Sequence, residues 1–264
     1  MNKLEKILGI RFPQGIKISN VTNSTDKVQN GSIFFGLKGT FNHGSKYINK
    51  ALTLGASIAI HNDPSFESTK SNIFFIEDLE EPKCNNSTDK IYEFLHEFYQ
   101  LSDLQNGNNF FTFTGTNGKT SSAFLCHQIL TNAGYESIYI GTIGAQYKDK
   151  EINNSISQKT TPDIFELFEI FKFYDFQDSI SICIEMSSHS LDQNRLKYLP
   201  CLNSASILNI GADHLDYHKN IKNYTDAKFK IFDTESVVRL IDDKLQKVSL
   251  DYSFVESSQY KMIS

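Results

Sequence analysis

Three stretches of the chain carry residue types suited to holding a phosphate and a divalent cation. In the first, the apolar run 110–113 leads into Thr114-Gly115-Thr116-Asn117-Gly118-Lys119-Thr120-Ser121. Glycines let backbone N–H groups curl around an anion, a following helix N-terminus adds partial positive charge, and Lys119 supplies a full one. The Thr120 hydroxyl is then placed to hold Mg²⁺. The general G-x-x-x-x-G-K-[ST] pattern asks for glycine at 113, where this chain has Phe113. The second stretch, 181–190, ends an apolar run in Glu185, followed by Met186-Ser187-Ser188-His189-Ser190. A carboxylate at a strand end can bind a metal that bridges nucleotide phosphates. The third, 205–218, delivers Asp213, His214, Asp216 and His218, with Lys228 ten residues beyond His218. Taken singly, Asp216 and His218 read as solvated loop residues, His189 as a hydrogen-bonded structural histidine, and Lys228 as an ordinary exposed lysine.

These groups converge only if a scaffold brings them to one edge. Residues 110–113, 138–140, 180–184, 205–210 and 237–241 read as apolar strands. Residues 121–133, 162–174 and 224–232 between them read as helices. Near-continuous apolar strands separated by helices imply a parallel sheet covered on both faces, which binds ligands at the carboxyl ends of its strands. Thr161-Pro162 marks the start of the second helix, with Thr161 as N-cap. Upstream, strands at 32–37, 57–60 and 73–76 and a helix at 47–54 form a small α/β domain. A polar linker at 78–89 follows it, and an amphipathic helix at 90–99 opens the second domain. The expected division is 1–86 and 87–264.

Composition narrows the partners. With 39% hydrophobic and 22% charged residues, 264 residues suit one large or two ordinary globular domains. The net charge of −5 speaks against a nucleic-acid backbone as partner. No apolar stretch approaches the roughly 20 residues of a membrane span, and the N-terminal residues lack a signal-peptide cleavage pattern. Cys84, Cys126, Cys183 and Cys201 show no metal-binding spacing and read as reduced thiols, with a cytoplasmic setting as the default.

The loop 114–120, the segment Glu185-Met186-Ser187-Ser188-His189-Ser190-Leu191, and Asp213-His214-Leu215-Asp216-Tyr217-His218 with Ala227-Lys228 together resemble the Mur ligases. More narrowly they are similar to the MurE type, which adds a diamino acid to UDP-MurNAc-L-Ala-D-Glu. The resemblance runs from about Val21 to about Phe232. It implies that Gly115, Thr116, Asn117, Gly118, Lys119, Thr120 and Ser121 bind ATP, and that Thr120 and Glu185 hold one Mg²⁺. It gives His214 and Lys228 to a second Mg²⁺, Lys228 as a carbamylated lysine whose added carboxylate reaches the metal. Lys119, Glu185, His214 and Lys228 are thereby the catalytic set. Ser24, Thr40, Phe41, Thr160, Thr161, Ser187, Gln193 and Arg195 match substrate-contacting positions. The family's Asp-Ser-Arg is Asn23-Ser24-Thr25 here, so only Ser24 survives of that motif.

The chemistry implied is attack of a substrate carboxylate on the ATP γ-phosphate, then displacement of phosphate from the acyl phosphate by an amine, meso-diaminopimelate or lysine. A third, C-terminal domain usual in the family has no counterpart here. The resemblance therefore implies a monomeric chain that binds nucleotide or precursor without completing ligation. Other Mur-like ligases, of the folylpolyglutamate or cyanophycin synthetase type, share the phosphate-loop chemistry. A non-catalytic precursor-binding protein is a third reading, motivated by the altered Asn23-Ser24-Thr25 motif.

Overall fold

The structure, a computed structural model, describes residues 1–39, 42–77, 90–101, 108–148, 150–152, 159–173, 179–199, 201–242, 245 and 260–263. Thr40, Phe41, Cys84 and the linker 78–89 lie outside them. Two compact units are formed, Met1–Gln100 and Leu101–Ser264.

In the first unit, strands β1 (Val21–Thr22), β2 (Ser32–Gly36), β3 (Ala56–His61) and β4 (Ile73–Phe75) pair in that order, all parallel. Helices α1 (Lys3–Leu8), α2 (Ile48–Thr53) and α3 (Lys90–Tyr99) accompany them. The α3 helix belongs to this unit, not to the second as its position after the linker implied. Its apolar stripe, Ile91, Phe94 and Leu95, is buried, it packs on α1, and the Phe94 ring meets Phe35 of β2 edge-on at 5.6 Å. Burial of an apolar stripe fixes a helix's neighbours more firmly than its place in the chain does.

The second unit begins with β5 (Asn109–Thr114), α4 (Lys119–Asn132), β6 (Ser137–Gly141), β7 (Gly144–Tyr147), β8 (Lys150–Glu151), α5 (Ile164–Phe173) and β9 (Ser181–Glu185). It continues with α6 (Ser188–Asp192), β10 (Leu202–Ile207), α7 (Leu215–His218), α8 (Ile221–Phe229), β11 (Ser236–Asp242) and β12 (Tyr260–Ile263). The strand order is β12-β11-β10-β5-β9-β6-β7-β8. All pairings are parallel except β6–β7 and β7–β8, so the sheet is mixed at one edge. From β5 the chain crosses to one side to build β6 and β9, then crosses back to build β10 and β11. A crevice at the carboxyl end of β5 follows from this reversal, the usual ligand position in such sheets. Among the described residues no helix is long and apolar enough to cross a membrane.

The helices begin at other residues than the apolar pattern implied: α4 at Lys119, α8 at Ile221 and α5 two residues after Pro162. The α5 helix starts at Ile164, and the Asp163 carboxylate accepts the Phe165 and Glu166 N–H groups, 3.1 Å each. Asp163 is the capping residue, and Thr161 is used elsewhere.

Candidate functional site

β5 runs through Phe113, which pairs with Glu185 of β9 and whose carbonyl accepts the Met186 N–H at 2.8 Å. Position 113 is strand, which explains why glycine is not needed there. The turn follows at Gly115–Gly118, and Gly118 enters α4 at φ +85°, a left-handed conformation that glycine adopts without strain. The first-turn amides of α4 lack intrahelical acceptors and are available to an anion. Lys119 Nζ lies back over the loop, donating to the carbonyls of Gly115 at 2.9 Å and Thr116 at 3.0 Å. Burial pulls its pKa below the ordinary lysine value, while the Glu185 and Asp213 charges act the other way.

Glu185 is fully buried at the end of β9, where its carboxylate accepts four hydrogen bonds from the described residues. Its carboxylate accepts from the hydroxyls of Thr120 (2.9 Å) and Thr142 (3.2 Å), from the Thr142 N–H (2.9 Å) and from the Tyr139 hydroxyl. A buried carboxylate needs such partners, because desolvation without them costs several kcal/mol. Close approach also dictates Gly141: a Cβ there would overlap both the Glu185 carboxylate and the Tyr139 hydroxyl. Thr120 and Glu185 thus form a hydroxyl–carboxylate pair beside the Gly115–Gly118 turn. Among the described residues no three His, Cys, Asp or Glu side chains stand together as a metal cage. The pair suits an ion that takes its remaining ligands from phosphate oxygens and water, as Mg²⁺ does.

Lys228, on α8, is 1% exposed. Its Nζ donates to the Gly115 carbonyl at 2.8 Å and to the Thr114 hydroxyl at 3.4 Å, and sits 4.7 Å over the Tyr224 ring. Burial, reinforced by the Lys119 charge and opposed by Asp213, pulls its pKa down to about 7. His214 takes a left-handed backbone, φ 49°, rare for a non-glycine residue, with its ring 3.6 Å from Asp213. It stacks edge-on with His189 at 4.9 Å between centroids. His218 is buried against His189, Tyr217 and Tyr224, contrary to its reading as a solvated loop residue, whereas Asp216 is exposed.

The sequence of residues 113–260 matches the Mur ligase middle domain. The chain belongs to the Mur ligase family. It is 31% identical over 229 residues to the UDP-N-acetylmuramoyl-L-alanyl-D-glutamate–2,6-diaminopimelate ligase of Aquifex aeolicus, covering 86% of this chain and 44% of that one. The ligase of the same name from Phocaeicola vulgatus is 32% identical over 253 residues, 92% and 49% of the two chains. A solved structure of such a diaminopimelate ligase superposes with a TM-score of 0.68 at 20% identity, covering 98% of this chain and 51% of that one. The ADP complex of MurF ligase from Thermotoga maritima gives 0.55 at 16% identity, covering 100% and 51%. These last two show a shared fold. The chain spans about half the length of the curated relatives it matches.

In this Mur ligase chain five of the residues matched to substrate contacts, Thr160, Thr161, Ser187, Gln193 and Arg195, are joined by hydrogen bonds near the end of β9. The Thr161 hydroxyl donates to the Glu185 carbonyl at 2.8 Å and accepts the Ser187 N–H at 3.0 Å. Arg195 Nη1 donates to the carbonyls of Thr161 (2.7 Å) and Pro162 (3.2 Å), while its Nε and Nη2 donate to Gln193 Oε1. The Ser187 hydroxyl caps α6 through the Ser190 N–H. Thr160 is joined to Thr142, which in turn reaches Glu185. Much of the polar capacity of Thr161, Ser187 and Arg195 is therefore used to hold residues 160–162 against the end of β9. Ser24, in the first unit, follows β1 at the carboxyl end of its sheet.

Tyr139, Gly141, Thr142 and Tyr224 were not identified from the sequence. A Gly-Thr pair directly after the apolar run 138–140 was the available signal for two of them. Tyr224 stood in plain view four residues before Lys228, with nothing to set it apart from an ordinary core aromatic.

Proposed function

We propose that this chain is the precursor- and nucleotide-binding part of an ATP-dependent amide ligase of the MurE type, acting on UDP-MurNAc-L-Ala-D-Glu in the cytoplasm. The observation that carries this reading is the convergence of Lys119, Thr120, Glu185 and the buried Lys228 on one loop. The curated relatives are named as 2,6-diaminopimelate ligases, which favours diaminopimelate over lysine as the incoming amine. Ser24, Thr40 and Phe41 would contact the uridine end of the precursor, and the residues Thr160, Thr161, Ser187, Gln193 and Arg195 its peptide end.

The residues fit Mg²⁺ and a triphosphate: a hydroxyl, a desolvated carboxylate and a lysine surround a helix N-terminus. Bound Mg²⁺ would supply the positive charge that lets a carboxylate approach a γ-phosphate. Lys119 and the amides at the start of α4 would bind the phosphates and fix them in line, and such positioning is most of what phosphoryl transfer asks of a protein. Glu185, held by its donors, would present one orientation to the cation. The carboxylate would displace ADP to form the acyl phosphate, and the amine would then displace phosphate and lose a proton to give the amide.

Lys228 has a further role in this proposal. An amine with a pKa of about 7 is roughly half neutral at neutral pH, and only the neutral amine attacks CO₂. Its nitrogen would bond to carbon and release a proton, giving a carbamate whose oxygens, with His214, can hold a second cation. The test is calorimetric titration of the chain with Mg·ATP and with UDP-MurNAc-L-Ala-D-Glu, with a folylpolyglutamate precursor as control. Binding of both nucleotide and muramoyl precursor is expected. Binding of neither, or of the folate compound instead, would overturn the reading.

A further inference from the structure

Thr116 and Asn117 sit in the nucleotide loop, yet their backbone N–H groups face the segment that follows β10. The Asn117 N–H donates to Asn209 Oδ1 at 2.9 Å, and Asn209 Nδ2 donates to the Asn117 carbonyl at 2.9 Å. The Thr116 N–H donates to the Asn209 carbonyl at 3.1 Å, and the Leu208 N–H to the Thr114 carbonyl at 2.9 Å. The Thr116 hydroxyl accepts the Gly211 N–H at 2.8 Å and lies 3.0 Å from the Tyr224 hydroxyl. The β5–β10 ladder is thereby prolonged past both strand ends, first by backbone bonds and then by the side chains of Asn209 and Thr116.

The carboxamide of Asn209 is the part of this arrangement that backbone geometry alone cannot supply. Asn117 offers one donor and one acceptor, and a carboxamide answers both. A carboxylate at 209 would keep the acceptor and set negative charge against the Asn117 carbonyl; a methyl would satisfy neither. Asn209 also lies four residues before Asp213 and five before His214. Gly115 closes the contact from the other side, where an added Cβ would lie 3.2 Å from Leu208 Cβ and 3.4 Å from Asn209 N.

We propose that Asn209 is a positioning residue, a clasp that holds the phosphate loop in its anion-receiving shape and yokes it to the segment bearing Asp213 and His214. Pre-forming the loop leaves Gly118–Ser121 and Lys119 as the phosphate-binding part and removes an ordering cost from nucleotide binding. The proposal rests on the ligase reading only for what the loop binds. The shape of the empty loop depends on Asn209 in either case.

Two readouts on the full 264-residue chain test it. Asn117 is exposed, so protection of its amide comes from this hydrogen bond. In the nucleotide-free protein, amide exchange at Asn117 should speed up in Asn209→Ala and stay slow in wild type and in Asn209→Asp, which keeps the acceptor. Exchange within α4 should not change. Mg·ADP affinity should fall on the order of tenfold in Asn209→Ala, the worth of about one to two hydrogen bonds, with affinity for the muramoyl precursor unchanged. Equal Asn117 exchange in all three proteins, or faster exchange throughout α4 in Asn209→Ala, would overturn the clasp. Failure of wild type to bind nucleotide would instead refute the ligase reading and leave the exchange result to decide the clasp.

Discussion

On the side of the sheet covered by α5, Ile138 and Ile140 of β6 and Ile182 and Ile184 of β9 join Leu167, Ile170 and Phe171 in the main apolar cluster. On the side covered by α4, the alternate residues of the same strands are Ser137, Tyr139, Ser181, Cys183 and Glu185, all buried. They meet polar or aromatic groups of the helix: Ser137 bonds His127 at 2.9 Å, Tyr139 packs edge-on against Phe124 at 5.6 Å, and Glu185 bonds Thr120. Alternation puts two different interiors on one pair of strands. The hydrocarbon face supplies stability, about 1.5–3 kcal/mol per buried isoleucine. The polar face contributes little net stability, because each buried donor or acceptor only recovers what desolvation costs. What it gains is fixed orientation of a carboxylate beside the Gly115–Gly118 turn.

The largest effect should come from the hydrocarbon face. Ile184→Ala is expected to lower stability by about 2–5 kcal/mol, measured by urea unfolding, with Mg·ATP affinity of the folded fraction within about twofold of wild type. A large affinity loss there would erase the distinction between the faces. Gly141→Ala sharpens it from the other side. The new methyl must displace the Glu185 carboxylate, for about 1–3 kcal/mol of overpacking strain together with loss of Mg²⁺-dependent nucleotide binding. Retention of that dependence would show that the carboxylate has room to move.

Thr161→Val removes the hydroxyl that ties residues 160–162 to the end of β9. It leaves the Ser187 N–H without its acceptor, at about 1–3 kcal/mol. Precursor affinity should fall more than nucleotide affinity, a split that calorimetry can read. The remaining prediction concerns the titration of Lys228. Its amine protonates near 7 when folded and near 10.5 when unfolded, so between those values the unfolded chain binds more protons. Stability contributed by this group therefore rises with pH across that window. Lys228→Met should flatten that slope in thermal melts and stabilise the chain below pH 7.

Much of the parallel core was legible because strands buried on both faces are rich in apolar residues whichever side they serve. That same feature hid the contrast between the faces. Tyr139 and Cys183 read as members of apolar runs, and only the helix opposite shows them to be on the polar side. β7 and β8 went unread because Gly144-Ala145-Gln146-Tyr147 and Lys150-Glu151 are too short to carry a pattern. The meeting of Lys119, Thr120 and Glu185 was legible from spacing, since a strand-to-helix loop and a strand-end carboxylate both fall at the carboxyl edge of one parallel sheet. The burial of Lys228 was not, because Tyr224-Thr225-Asp226-Ala227-Lys228 looks like any amphipathic turn. Thr161 before Pro162 was misread as a cap because its tertiary partner, the end of β9, lies 24 residues away.

The most direct test of the site is the Mg²⁺ dependence of ATP binding in Glu185→Gln, a near-isosteric change whose hydroxyl neighbours can rotate to suit it. If Thr120 and Glu185 hold the cation, wild type should bind ATP much more tightly with Mg²⁺ than without, and Glu185→Gln should lose most of that difference while melting near the wild-type temperature. An undiminished Mg²⁺ effect in a well-folded Glu185→Gln would contradict the account.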